Sequence, residues 1–415
     1  MINIKRHRLE SRIPAPILIL SRSHPELIAY SRYLASNNLD FFLLTNLVVQ
    51  ESTYKKIRII SKFFPNIDFK IRKRVIPNIS KSSMVKNANI FLDLAYRISH
   101  KLKIEKAQKY FLRRQDIRFQ ILQNKIVEQL KPNTIVASEA IDINFKTNAR
   151  IVAIAFHGHP KYVNSIRFKA GLIHPEWLDL EPNLDETAPI FKIADQIVAL
   201  SEFSATGIRE IEGTRIKSIV IPVGPLLKPI GHAQIYRINN KRITFTYMGR
   251  MTMLKGLPNF IRIAEEFKFE ADFILCGHAS KKVKEKLDEI QNDSLTIHIS
   301  PSTAKLQNIL STTDAYVSTS FYEGFGIASL EAMSFGCIPI CSSHSAIPEI
   351  LKNSPLAEFI FDPYSYEDLS DKVMKFLNLS PLQRVTLRNY AVEIVRNYSY
   401  EKFSHDLNNL ISTEK

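Results

Sequence analysis

Short apolar runs alternate with amphipathic stretches along almost the whole chain. Runs at 15–20, 41–44, 134–137, 151–156, 196–200 and 218–221 are rich in Ile, Val, Leu and Phe. They are too short for buried helices, and continuous apolar runs of this length are how strands buried on both faces read. A second series follows at 243–248, 273–276, 295–299, 315–318, 338–341 and 358–361. Helical periodicity fills the intervals, most clearly over 25–35 and 91–130. This alternation predicts an α/β protein whose parallel sheets carry helices on both faces. The densest Pro/Gly cluster between two strand patterns is Gly224, Pro225, Pro229 and Gly231. A boundary there predicts two such α/β domains, 1–228 and 232–385, followed by a polar-faced helical end over 386–415. Leu387, Val392, Val395 and Phe403 are the apolar positions of that end.

Composition narrows the class. A length of 415 residues suits two domains, and 45% hydrophobic with 23% charged residues are soluble globular proportions. No apolar run approaches the roughly 18 residues of a membrane-spanning helix. The apolar run at 15–20 is too short for a signal peptide and reads as a first strand. Three cysteines build no disulfide framework, so Cys337 and Cys341 are expected as buried free thiols in a reducing cytoplasm. The net charge of +15 is unevenly placed. Residues 51–120 hold 18 Lys/Arg against 5 Asp/Glu, whereas 151–415 hold 28 against 30. Nucleic acid, an anionic membrane surface or an acidic substrate each account for such a basic N-terminal half.

The densest chemistry surrounds Glu323 and Glu331, eight positions apart, with Gly324, Phe325 and Gly326 after the first. The run before them predicts a buried strand, and 327–335 predicts a helix with Leu330 and Met333 facing inward. Glu323 then lies at a strand's carboxyl end, where open α/β sheets bind ligands. The glycines permit close backbone approach, and the helix start offers N–H groups to an anion. Upstream, the strand at 243–248 runs into Gly249, Arg250 and, at the next helix start, Lys255 and Gly256. Two cations so placed suit a diphosphate, Arg by its fork and Lys as a point charge. The strand at 273–276 ends in Gly277 and His278, and the one at 151–156 in His157, Gly158 and His159. Two histidines spaced i, i+2 with no carboxylate or cysteine beside them make a poor metal site.

Taken together these residues resemble the GT-B glycosyltransferases, and within them the retaining glycosyltransferase family 4, over about 151–361. The resemblance rests on the paired glutamates with Glu323-Gly324-Phe325-Gly326, on Gly249-Arg250 with Lys255-Gly256, and on Pro348-Glu349 and Asp362-Pro363. It implies two Rossmann-like domains facing across a cleft, with the C-terminal helix packing back on the N-terminal acceptor domain. The C-terminal domain would bind a UDP- or GDP-sugar, with no other cofactor. Glu323 would hold the transferred sugar and stabilise charge at its anomeric carbon, while Glu331 would accept from the ribose hydroxyls. Arg250 and Lys255 would neutralise the diphosphate, and Gly249 and the N–H groups of Gly326, Ile327 and Ala328 would line it. His157 matches the family's donor-contacting histidine, with His159 the weaker candidate.

No Asp-x-Asp motif of the metal-binding kind is present, so a metal-independent hexosyltransferase is expected. The implied partners are the nucleotide-sugar donor and a glycan or lipid-linked acceptor, in polysaccharide, lipopolysaccharide or glycolipid synthesis. Within 89–114 the apolar Phe91, Leu94, Ile98 and Leu102 share a helical face with six Lys/Arg nearby, so an anionic membrane surface is a candidate partner. The alternatives are a GT-B epimerase and a non-catalytic basic protein binding nucleic acid or membrane. One departure stands out. The family's Gly-rich loop after the first strand is replaced by Ser21, Arg22, Ser23, His24, Pro25 and Glu26. The acidic loop 178–186 has no assigned role.

Overall fold

The computed structural model describes residues 17–21, 24–45, 49–50, 75–76, 84–87, 105–143, 146–178, 180, 188–213, 217–229, 242–290 and 292–413. Two compact units emerge, Met1–Ile154 with Pro189–Asp195, and Ala155–Ala188 with Gln196–Lys415. In chain order the first elements are β1 (Ile17–Ser21), α1 (Pro25–Ser36), β2 (Phe41–Thr45), β3 (Val49–Gln50), β4 (Val75–Ile76) and β5 (Met84–Asn87). Then come α2 (Glu105–Leu130), β6 (Thr134–Ser138), β7 (Arg150–Ala155), α3 (Pro160–Ile173), α4 (Pro175–Leu178) and α5 (Pro189–Ile193). They are followed by β8 (Gln196–Ala199), α6 (Glu202–Glu212) and β9 (Ser218–Val220).

In the first unit, strands stand in the order β5-β2-β1-β6-β7, every neighbouring pair parallel. Their residues are buried almost without interruption, which is why the sequence shows runs and not alternation. Later strands step outward from β1 on both sides, so the order reverses between β1 and β6.

The rest of the second unit comprises β10 (Ile243–Arg250), α7 (Leu257–Glu266), β11 (Ala271–His278), α8 (Lys281–Asp288), β12 (Leu295–Ile299), α9 (Thr303–Thr312) and β13 (Ala315–Ser318). After these come α10 (Ile327–Ser334), β14 (Ile338–Ser342), α11 (Ile347–Leu351) and β15 (Ile360–Phe361). The chain ends in α12 (Tyr366–Leu377), α13 (Pro381–Val395) and α14 (Tyr400–Thr413). Its six-stranded sheet runs β12-β11-β10-β13-β14-β15, all parallel. Here the order reverses between β10 and β13. Phe245 and Phe273 stack at 5.3 Å in its core, with Phe260 and Phe376 edge-on.

The helical stretch expected over 91–130 is described only from Glu105, and most of 178–186 and all of 230–241 lie outside the described residues. The helical end divides into α13 and α14. Helix α13 starts on a capping box of Ser380 and Gln383. It packs on α10, and Arg388 pairs with Asp314 at the foot of β13.

Candidate functional site

The expected site residues gather where the second sheet reverses its order. A parallel sheet leaves a crevice at that point, outside the carboxyl ends of the two diverging strands. Arg250 ends β10, and the segment from Phe321 to Gly326 leads from β13 into α10. Close backbone approach fixes both turns. A Cβ on Gly277 would lie 1.7 Å from the Gly249 carbonyl oxygen, and one on Gly256, at φ +70°, would lie 1.8 Å from that of Thr319. Glycine alone fits either position, and the Gly256 contact holds the Lys255 turn against β13. The Thr319 hydroxyl reinforces it by donating to the Gly256 carbonyl at 2.7 Å.

Most backbone polar groups from Phe321 to Gly324 have a partner. The Leu254 carbonyl accepts from the N–H groups of Phe321 (2.9 Å) and Tyr322 (3.4 Å). The Tyr322 carbonyl accepts from Lys255 Nζ at 3.0 Å. The Glu323 N–H donates to the His344 carbonyl at 3.0 Å. The Gly324 carbonyl accepts from both Ser201 Oγ (2.6 Å) and Ser204 Oγ (2.8 Å). Such a loop is held from three directions before any ligand arrives.

Lys255 Nζ also donates to Glu323 Oε2 at 2.7 Å, and both side chains are about a quarter exposed. An ammonium has three N–H groups, so one remains for a further acceptor. Arg250 is exposed and forms no ion pair among the described residues. Gly326, at φ +93°, precedes α10. The N–H groups of Ile327 and Ala328 open that helix, where no intrahelical carbonyl can reach them. They and the helix's positive end can receive an anion at the carboxyl end of β13. Glu331 sits on the same helix, with Oε1 accepting from the Leu227 N–H at 2.9 Å. That carboxylate therefore meets the chain segment where the domain boundary was expected.

His157 stands beside the loop, exposed at the end of β7. A Cβ on Gly324 would lie 2.9 Å from the Phe156 carbonyl oxygen and 3.5 Å from His157 Cα. Gly158, at φ +74°, lies under the Tyr322 hydroxyl, which a Cβ there would meet at 2.0 Å. His159 is different. It is 2% exposed, its Nδ1 accepts from the Lys161 N–H at 3.2 Å, and Nε2 lies 2.9 Å from Glu212 Oε1. An Nδ1 that accepts leaves the proton on Nε2, so His159 is the N-cap of α3, bonded to Glu212.

Residues outside the glutamate pair and the two cations hold the loop and the start of α6 that grips it. Glu349 accepts from the N–H groups of Glu202 (3.0 Å) and Phe203 (2.8 Å), a carboxylate at the start of α6. Tyr162, Phe203, Tyr322, His344 and Tyr364 form a chain of ring contacts at 5.2–6.4 Å. Isolated aromatics, serines and a histidine carry no spacing signal. The cysteines behave as expected, since burial pushes the thiols of Cys276, Cys337 and Cys341 up to about 12. Among the described residues no three His, Cys, Asp or Glu side chains gather as a metal site requires.

Two parallel, doubly wound α/β sheets of this kind are the GT-B glycosyltransferase fold. Sucrose-phosphate synthase from Thermosynechococcus elongatus superposes with a TM-score of 0.65 at 14% identity, over 96% of this chain and 99% of that one. More particularly, residues 232–393 match the family model of glycosyl transferases group 1. The alpha-maltose-1-phosphate synthase of Mycobacterium tuberculosis is 28% identical over 130 residues, 28% of this chain and 32% of that protein. O-antigen chain mannosyltransferase B of Escherichia coli is 37% identical over 62 residues, 15% of this chain and 16% of that protein. The matches thus span about a third or less of these curated relatives.

Proposed function

We propose that the chain is a retaining glycosyltransferase that moves a hexose from a UDP- or GDP-sugar to a glycan or lipid-linked acceptor. The observation that carries this reading is the Lys255–Glu323 pair at the sheet's reversal point, beside Arg250 and the start of α10. Departure of a nucleoside diphosphate requires positive charge already in place, so that little reorganisation accompanies bond breaking. Arg250, Lys255 and the N–H groups of Ile327 and Ala328 supply it at the diphosphate, and Gly249 and Gly326 leave space for its approach. Glu323 holds the sugar and offsets the positive charge that develops at its anomeric carbon. Glu331 receives the ribose, and His157 contacts the sugar from the β7 end. The acceptor oxygen bonds to the anomeric carbon on the face the phosphate leaves, and its proton passes to the departing phosphate oxygen. The segment on either side of 228–232 divides acceptor from donor function in this reading. Thermal unfolding against UDP, GDP, ADP and their sugars tests it: at least one nucleotide raises Tm in the wild type and fails to do so in R250A/K255A.

A membrane-borne acceptor is favoured by the surface of α2. Tyr110, Ile117 and Ile121 share one exposed face of this helix, flanked by Lys106, Arg113, Arg114, Arg118 and Lys125. Phe119, Ile126 and Val127 are buried on its other side. Exposed apolar side chains between basic ones suit the interface of an anionic bilayer. The basic stretch expected over 89–114 is described only from Glu105, and no helix among the described residues is long and apolar enough to cross a membrane. On this reading the protein works at the inner face of the cytoplasmic membrane in surface-glycan or glycolipid synthesis.

A further inference from the structure

We infer that His344 is a positioning residue for Glu323, an assignment that rests on the glycosyltransferase reading above. The residue stands between β14 and α11 and grips the Glu323 loop twice. Its carbonyl accepts from the Glu323 N–H at 3.0 Å, and its ring Nδ1 lies 3.1 Å from the Phe321 carbonyl oxygen. A carbonyl only accepts, so Nδ1 carries the proton and donates it, in the neutral ring and the cation alike. The ring is fixed by Phe203 at 5.8 Å and by Tyr364 at 5.2 Å, the latter edge-on. Phe321 O and Glu323 N bracket Tyr322, whose carbonyl is the one Lys255 holds. His344 and Lys255 therefore hold the same short segment, and the Glu323 carboxylate sits where the two grips leave it. The backbone grip survives any substitution at 344, whereas the ring grip does not. Without it the buried Phe321 carbonyl loses its donor and the loop can tilt about Gly324.

The test is a steady-state comparison of wild type, H344A, H344N and H344Q beside E323Q, with Tm measured for each. The Asn amide nitrogen falls near the position of Nδ1, whereas the Gln nitrogen falls near Nε2. The expected result is a kcat of H344A lowered about 10²-fold, as for a misplacement of about an ångström. Donor KM changes little, H344N recovers most of the loss, and H344Q does not. The pH profile of H344N keeps the wild-type shape, because the donated N–H does not depend on the ring's charge. Full activity in H344A, equal loss in H344A and H344N at unchanged Tm, or loss of one limb of the pH profile in H344N would each overturn the assignment. An active E323Q would instead sink the reading beneath it.

Discussion

In the second sheet, β10 and β11 pair through Gly249 and Gly277 near their ends, and a Cβ on Gly277 would lie 1.7 Å from the Gly249 carbonyl oxygen. In the first unit, β1, β2 and β6 end in register on Ser21, Thr45 and Ser138, all fully buried hydroxyl residues. Thr45 Oγ1 and Ser138 Oγ have no hydrogen-bond partner. The two carboxyl edges share a topology and differ in chemistry. One is made of glycine turns and ion pairs, geometry that only a few residue types can adopt. The other is made of small hydroxyls, with basic side chains on the exposed face of α2. A backbone constraint leaves a spacing in the sequence, whereas a surface face or a buried serine does not. That difference explains why the second sheet's edge carries a recognisable motif and the first sheet's edge carries none.

Several substitutions would break or sharpen this contrast. Losses in the second unit should be largest at the ion pair: E323Q and K255A are each expected to lower kcat/KM by about 10²–10³-fold, with Tm close to wild type. Next come the glycines. G277A and G256A should each lower unfolding stability by about 2–3 kcal/mol in urea titrations, since the added methyl meets backbone carbonyl oxygens. By contrast, S138A in the first unit should be neutral or slightly stabilising, because it removes an unpaired buried hydroxyl.

Smaller effects follow on the α2 face. Reversing Arg113 and Arg114 to Glu should weaken flotation with anionic vesicles by about 1 kcal/mol for each basic charge removed. Neutral vesicles should bind neither protein, and salt should weaken the wild type's binding. Retention on neutral vesicles would assign the basic face another partner.

The smallest expected effect concerns pH. Burial is the main cause that lowers the His174 pKa from its ordinary 6.5, while Nε2 lies 3.0 Å from Asn259 Oδ1. A base whose folded pKa is depressed contributes stability above its unfolded pKa. That contribution is lost as pH falls from about 6.5 through the folded value, because the unfolded chain takes up the proton first. Stability of the wild type should therefore fall more steeply than that of H174N over this window.

Much of the fold was legible, because each of the twelve apolar runs overlaps a strand, and most of those strands are buried on both faces, the outer β9 and β12 excepted. The strands β3, β4 and β5 escaped, since the apolar runs they fall in are only two or three residues long. Helix α10 was expected over 327–335 and spans Ile327–Ser334. Its start is marked by the backbone freedom of Gly326. The neighbourhood of Lys255 and Glu323 was legible too, since each sits at a predicted helix start or strand end, though their ion pair was not foreseen. What the sequence hid was how the loop is held. Ser201 and Ser204 at the start of α6 and His344 after β14 meet the loop only through tertiary packing. His157 and His159 show the same limit, because they lie two positions apart in similar company. Only the structure reveals that one is exposed and the other is a buried cap.

The most direct measurement is nucleoside diphosphate release from UDP-, GDP- and ADP-sugars by wild type and E323Q at matched concentration and verified fold. The account predicts release from at least one UDP- or GDP-sugar by the wild type, and its loss in E323Q. No release from any donor, or equal release by both proteins, would contradict the claim that Glu323, held by Lys255, is the centre of the reaction.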